Sequence, residues 1–459
     1  MTKTKAGIKL AAFLAVASIV AGACGDDSSS PATTAGGTTP AATDAPATTG
    51  GGTGGTKVII STDLPMQGAS ADASRDTVRA VQLVVDEYNA SGGKYQVELK
   101  SYDNSTAAKG GWDDATCAKN ASDHVANAAE VAVMGTYNSG CAKIEVPVLN
   151  EDATGPMLMI SHANTNPGLT KAWDPGEPDK YYPTGVRNYG RVIATDDYQG
   201  AAGAQFAQKD LGVTKCVVLN DAQTYGVGVA TAFTEEAKKL GIEVVAEEAW
   251  DAKQPNYTAL FEGFKSLNPD CVYLGGINDN NGEQLVRDKV AVLGPNDGAV
   301  KLIAPDGFTG YPSLQGMAEA QGMYITFAGL PASQLLANGG AGADFVKKFN
   351  EKYGADPASA YAIYGAAAAQ LILAALEASD GTRKGVRDAA FSGNIKIAAD
   401  KSVIGKEFGI DTATGDVTVK DMSIQLMKDN TETFLKPWAT ITAVRRPVGL
   451  VERRSLIHI

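Results

Sequence analysis

Residues 131–161 read VAVMGTYNSGCAKIEVPVLNEDATGPMLMIS, two apolar runs on either side of a stretch of helical length. VAVMG (131–135) and MLMIS (157–161) are continuous apolar runs of strand length bounded by turn formers. A helix is expected between them from about residue 141. A strand, a helix and a strand with such short joints call for two parallel strands with the helix packed on the sheet.

The same rhythm runs in both directions. Upstream, KVIIST (57–62) is a strand, residues 74–90 carry helical spacing through Val78, Val81, Leu83, Val84, Val85 and Tyr88, QVELKSYD is a second strand, and 111–128 a second helix. A polar stretch rich in Tyr, Pro and Asp (173–190) interrupts it. It then resumes: a helix over 195–210, CVVLN, a helix over 228–240, IEVVAEEAW, a helix over 257–267, CVYLGG, a helix over 282–293, and VKLIAPDG. Two such runs imply an α/β protein of two doubly wound parallel-sheet lobes, with a ligand cleft outside the carboxyl ends of the strands. The lobes are expected over 57–184 with 326–425, and over 185–325 with 426–442. Tyr361 to Leu376 is Ala-rich, short and broken by Gly365 and Gln370, so it reads as a packed helix.

Composition narrows the class. The chain has 459 residues, 44% hydrophobic and 20% charged, with a net charge of −12. It is too apolar for a disordered chain and too acidic for a partner held by phosphate charge, so no nucleic acid is expected. Three His residues leave no His-rich metal site, and no metal or cofactor is expected.

Residues 1–9 carry Lys3, Lys5 and Lys9 and no acid, and residues 10–23 form an apolar run too short to span a bilayer. Residues 1–23 therefore read as a secretory signal. Ala21-Gly22-Ala23-Cys24 resembles a bacterial lipobox, with Cys24 as lipid anchor and new N-terminus. Ordinary signal cleavage that leaves Cys24 free is the alternative. Residues 24–56, almost entirely Ser, Thr, Ala, Gly and Pro, read as a flexible tether. Together these place the protein on the outer face of a bacterial cell membrane, held by lipid only. Residues 443–459 carry four Arg and one Glu and form an atypical basic tail. Cys117, Cys141, Cys216 and Cys271 remain, without a CxxC. In an exported chain they suggest two disulfides, 117–141 and 216–271, the alternative being free buried thiols for the second pair.

The strand ends direct attention to particular side chains. Thr136-Tyr137-Asn138-Ser139-Gly140 follows one strand and enters a helix, where Ser139 and free N–H groups suit a carboxylate. Ser161 to Pro167 crowds polar groups on a turn; Asp221 to Gly228, Ile277-Asn278-Asp279 and Asp306-Gly307-Phe308 end strands of the second half. Each alone reads as a cap or a turn. Converging together, they read as a site.

Taken in order, Leu64-Pro65-Met66-Gln67-Gly68, the Gly135–Gly140 loop, Met159-Ile160-Ser161 through Thr165, Asp221…Tyr225-Gly226-x-Gly228, Tyr273-Leu274-Gly275-Gly276 and Pro305-Asp306-Gly307 resemble the branched-chain amino-acid-binding family. These are the type I periplasmic binding proteins of ABC transporters, and the likeness covers roughly residues 57–435. The resemblance implies a monomeric receptor that closes its lobes over a small-molecule solute and delivers it to an ABC permease. It also implies site roles: Ser139 and the Thr165 amide for an α-carboxylate, and Asp306, the Thr165 hydroxyl and the Ala163 carbonyl for an ammonium. Asn164 belongs to the same loop, Tyr225 covers the ligand from the second lobe, and Ile277 stands where the family commonly has an aromatic. Asp306 replaces a frequent Glu, and the Gln67–Ser74 loop is small and polar. The solute is thus an amino acid or a related amide-like molecule. A sensor of the same fold reporting to a signalling partner is the alternative. No G-x-S-x-G, H-E-x-x-H or paired-Cys motif supports an enzyme.

Overall fold

The computed structural model describes residues 55–438, so the signal, Cys24, nearly all of the tether and the basic tail lie outside the described residues. In chain order the first strands are β1 (Thr56–Leu64), β2 (Tyr95–Asp103), a two-rung hairpin of β3 (Ser105–Thr106) and β4 (Gly111–Trp112), β5 (Glu130–Gly135), β6 (Leu158–Ser161) and β7 (Tyr189–Arg191). Five of them form an all-parallel sheet in the order β2-β1-β5-β6-β7. The second sheet holds β8 (Lys215–Asn220), β9 (Glu243–Ala249), β10 (Cys271–Gly275), β11 (Lys301–Ala304), β12 (Tyr324–Phe327), β13 (Ser423–Lys428) and β14 (Thr431–Pro437). Its order is β14-β13-β12-β11-β10-β8-β9, with only the β12–β13–β14 pairs antiparallel.

The central strands of both sheets are covered on both faces, which explains their unbroken apolar runs. Along β5, Ala132 and Met134 enter the core beneath α1 (Ala71–Ala90) and α11 (Tyr361–Glu377), while Val133 between them packs with Val146 and Leu149 of α3 (Ser139–Asn150). Along β8, Val217 and Leu219 face α6 (Thr258–Phe264) and α7 (Gly282–Leu293). Cys216 and Val218 face α4 (Asp196–Lys209) and α5 (Thr224–Lys239). The four-residue α8 (Pro312–Gln315) closes the second core. The helices α9 (Ala332–Asn338), α10 (Gly340–Tyr353) and α12 (Arg383–Ala390) return to the first. Among the described residues no helix is long and apolar enough to cross a membrane.

Three expectations need correction. The helix anticipated over 111–128 is α2 (Asp114–Ala126): Gly111 and Trp112 pair in the hairpin, and Asp113 caps the helix by accepting from the Thr116 N–H at 3.0 Å. The lobe boundary at 184/185 falls too early, because β7, unread in the polar stretch, is a strand of the first sheet. The boundaries at 325/326 and 425/426 cut through β12 and β13, which pair with each other from Tyr324↔Leu426 to Phe327↔Ser423 inside the second sheet. The chain therefore crosses between sheets just after Arg191, just after Phe327 and just before Ser423. Both expected cysteine pairs lie at disulfide distance, with Cα–Cα of 5.6 Å for Cys117–Cys141 and 4.4 Å for Cys216–Cys271. The second pair joins directly opposed residues of β8 and β10.

The α1–α11 crossing depends on one glycine. A Cβ on Gly365 would lie 2.5 Å from Thr77 Cγ2, and Thr77 is fully buried. Gly365→Ala should therefore cost about 1–3 kcal/mol through overpacking despite alanine's better helix propensity. Chemical unfolding checks this, and a variant as stable as wild type would show that the helices simply move apart.

Candidate functional site

The carboxyl ends of β5, β6, β8, β10 and β11 deliver five loops to one place. Tyr137, Asn138 and Ser139 come from the first, Ala163 from the second, Tyr225 from the third, Ile277 from the fourth, and Asp306 and Gly307 from the fifth. With Tyr361 at the start of α11 they line a small cavity of about 20 Å³. That is room for about one water. Larger hollows lie elsewhere, at the amino ends of β1 and β2 and beside α12, where the buried Arg383 and Asp152 already pair with each other. What distinguishes the strand-end cavity is that buried polar atoms of its lining, Asp306 Oδ2 and Asn138 Oδ1, have no partner.

Asp306 dominates its electrostatics. The residue is 1% exposed, its Oδ1 accepts from the Tyr225 hydroxyl at 2.5 Å, and its Oδ2 has no hydrogen-bond partner. Burial pushes its carboxyl up to about 6, against the pull of hydrogen bonds led by Tyr225. Tyr225 in turn accepts from the Gly307 N–H at 3.1 Å, which fixes the ring against the loop carrying Asp306. Nearby, Asp196 at the start of α4 is fully buried with neither carboxylate oxygen partnered. Burial, followed by the Asp306 charge, raises it well above the carboxylate range. The Thr165 hydroxyl is also buried and unpartnered. Two carboxyl groups and a hydroxyl thus stand ready for a donor-rich, positively charged group.

The opposite pole is built from N–H groups and hydroxyls. Ser139 opens α3, is 2% exposed, and its Oγ accepts from the Asn166 N–H at 3.3 Å. Helix α3 adds the positive end of its dipole there. Asn164 does a different job from its neighbours. Its amide donates to the Tyr137 carbonyl at 3.0 Å and its Oδ1 accepts from the Tyr189 hydroxyl at 3.1 Å, so the side chain ties two loops together. Ile277 presents an apolar wall, its N–H held by Asp221 at 3.2 Å. Asp221 also accepts from the Gln223 N–H at 2.9 Å and from Asn280 at 2.8 Å, so it clamps loops and does not face the cavity.

Of the seven sequence-derived positions, Ser139, Ala163, Tyr225, Ile277 and Asp306 line the cavity, Asn164 braces its loops, and Thr165 is buried beside them in the Ala163 loop. Sequence reasoning missed Tyr137 and Asn138 as lining residues, although their loop was singled out. It missed Tyr361 and Asp196 entirely, since each begins a helix that carries no motif. His162 is fully buried with neither ring nitrogen partnered, and burial lowers it to about 3, so it is neutral. It packs edge-on against Tyr137 and Tyr361 at centroid distances of 5.5 and 6.0 Å, a support for the cavity's aromatic wall.

Comparison with known proteins follows the same lines. A family model described as periplasmic binding protein matches residues 57–430. Leu/Ile/Val-binding protein homolog 2 of Brucella abortus is 27% identical over 328 residues, 70% of this chain and 78% of that protein. An amino acid binding protein of Pseudomonas aeruginosa is 26% identical over 377 residues, covering 79% and 88% respectively. Against the Leu/Ile/Val-binding protein BraC3 of Rhizobium johnstonii, 28% identical, the chain spans about half the length of its relative, 56%. Among solved structures, a leucine binding protein of Thermotoga maritima superposes with a TM-score of 0.68 at 24% identity, covering 83% of this chain and 98% of that one. A solute binding protein of R. palustris in complex with benzoate gives 0.67 at 19%, with 84% and 98% covered. At these identities the two structures establish the fold.

Proposed function

The chain belongs to the periplasmic binding protein family, and on that premise we propose that it is the solute receptor of an ABC importer that binds a small α-amino acid by lobe closure. The observation that carries this is the polarity of the cavity: unpartnered buried carboxyl groups at one end, a hydroxyl at a helix N-terminus at the other. A zwitterion enclosed there has both charges paired, which burial demands. Ser139 and the Thr165 amide take the carboxylate; Asp306, the Thr165 hydroxyl and the Ala163 carbonyl take the ammonium; Tyr225 is displaced from Asp306 to cover the ligand. The names of relatives that bind Leu, Ile, Val or amino acids point to the same class. The receptor performs no chemistry on its solute. It acts as a monomer, tethered through a lipid on Cys24 at the outer face of the membrane, with both cysteine pairs closed as disulfides.

Thermal unfolding of the purified protein, refolded to remove carried-over solute, tests the reading. At 100 times its dissociation constant a ligand stabilises by about 2.7 kcal/mol. An α-amino acid should raise the Tm while its deaminated acid, which lacks the ammonium, and its amide, which lacks the carboxylate, do not. A panel in which no α-amino acid shifts the transition overturns the proposal.

A further inference from the structure

The relatives' names point to branched aliphatic side chains, yet one end of this cleft is bridged by hydrogen bonds between the lobes. Ser70, the residue before α1 in the first lobe, donates through its N–H to Asp279 Oδ1 at 3.1 Å and through its hydroxyl to the same carboxylate at 2.9–3.0 Å. Asp279 belongs to the second lobe, in the turn after β10, where Tyr311 also donates to it at 2.5 Å. Ser70 and Tyr311 are 3% and 4% exposed, so this bridge is shielded from water.

Neither side of the bridge yields easily. The Ser70 loop is pinned to the end of β2, with the Met66 N–H on Asp103 at 3.0 Å and the Gln67 amide on Asp103 at 2.8 Å. Gly68, at φ +80°, lies so close to Gly110 that a Cβ would sit 1.7 Å from its carbonyl oxygen. On the other side, Asn280 next to Asp279 donates to Asp221 at 2.8 Å and its carbonyl accepts from the Trp250 indole at 2.7 Å. With both partners fixed, the bridge forms at one lobe separation only.

Ile277 connects this bridge to the head-group site. Tyr137 and Ile277 both line the head-group cavity, and Ile277 leads directly into the Asn278–Asn280 turn that carries Asp279. A side chain leaving the head group past Ile277 runs toward the turn that holds the bridge. We infer that the Ser70–Asp279–Tyr311 bridge restricts the ligand to α-amino acids with side chains no larger than those of glycine, alanine or serine. A leucine side chain holds the lobes apart, breaks the Ser70 bonds and strands the Asp279 carboxylate without its partners from the first lobe. This inference rests on the amino-acid reading above and adds to it the size of the solute.

Titration calorimetry of the refolded protein with glycine, L-alanine, L-serine and L-leucine tests it. The tightest of the three small amino acids should bind at least about tenfold more tightly than leucine, given the discrimination that one or more methylenes allow. Ser70→Ala and Tyr311→Phe each remove bridge hydrogen bonds without adding bulk, and each should move the leucine-to-alanine ratio toward leucine. That ratio is unaffected by a uniform loss of folded protein. Leucine binding as tightly as alanine to wild type overturns the size limit while leaving the amino-acid reading intact. A ratio unchanged in both variants removes the bridge as its cause. Binding of none of the four overturns the size limit, and the amino-acid reading falls with it only if the wider panel of α-amino acids also fails to bind.

Discussion

Asp306→Asn should abolish recognition of α-amino acids while making the ligand-free protein more stable at neutral pH. The two effects share one origin. The folded protein holds the Asp306 proton up to about pH 6, whereas an unfolded chain releases it near 3.8. The native state therefore binds more protons across that interval, and its stability falls as pH rises from about 4 to about 6. Below 4 the penalty is absent; above 6 it is fully present and amounts to about 3 kcal/mol. Asparagine removes the charge and with it the penalty, so the variant should gain stability at pH 7 and none at pH 4. Binding responds in the opposite direction. Deleting one partner of a buried, hydrogen-bonded charge pair costs about 2–5 kcal/mol, a loss of affinity of about thirtyfold to several thousandfold. In wild type, affinity should decline about tenfold per pH unit below 6, as the carboxylate needed by the ammonium becomes protonated. Paired unfolding and titration series at pH 4 and pH 7 check both. An Asp306→Asn protein that binds normally, or that is destabilised at pH 7, contradicts this account of the site.

The parts of this site that could be read in the sequence are those tied to strand ends. In a parallel sheet every carboxyl end points the same way, so apolar runs such as VAVMG and CVYLGG mark where to look. Ser139, Ala163, Thr165, Tyr225, Ile277 and Asp306 all lie in segments that this rule marks, and the family resemblance singles them out within those segments. Tyr361, which lines the cavity, and Asp196, buried at the start of α4, do not, because each stands in the first turn of a helix whose remaining residues serve packing. Fourteen of the seventeen residues of α11 are buried, so its sequence carries no amphipathic stripe that would set Tyr361 apart. Lobe boundaries were off for a related reason. At three residues, β7 is too short to stand out from the Tyr- and Pro-rich stretch before it. The strands β12 and β13 join the second sheet only by pairing across about a hundred residues. The Ser70–Asp279 bridge is equally invisible: a Ser before a helix and an Asp after a strand are ordinary caps until the fold opposes them.

Arg191 shows how far the site depends on a residue outside the cavity. Its guanidinium is fully buried where the chain leaves the first sheet. The Nε donates to Asp416 at 2.9 Å and Nη2 to the Thr170 hydroxyl at 2.7 Å. Through Nη1 it donates to the carbonyls of Asn164 and Asn166 at 2.7 and 3.0 Å. Those two carbonyls flank Thr165, so Arg191 sets the backbone that presents both the Thr165 amide and its hydroxyl. Arg191→Met keeps most of the volume and removes every donor. Asp416 is then left buried with Lys171, 3.6 Å away, as its nearest cation. Breaking a buried pair in this way costs about 3–5 kcal/mol, which for a body of this size lowers the Tm by about 5 °C. Affinity for the amino acid should fall at least about tenfold as the loop relaxes, since small misplacements of polar partners are expensive. Arg191→Lys separates charge from geometry: an ammonium can pair with Asp416, but it lacks the planar fork that reaches both carbonyls at once. It should regain part of the Tm and little of the affinity. Wild-type affinity in Arg191→Lys would mean that the charge alone, and not the fork, holds the binding loop in place.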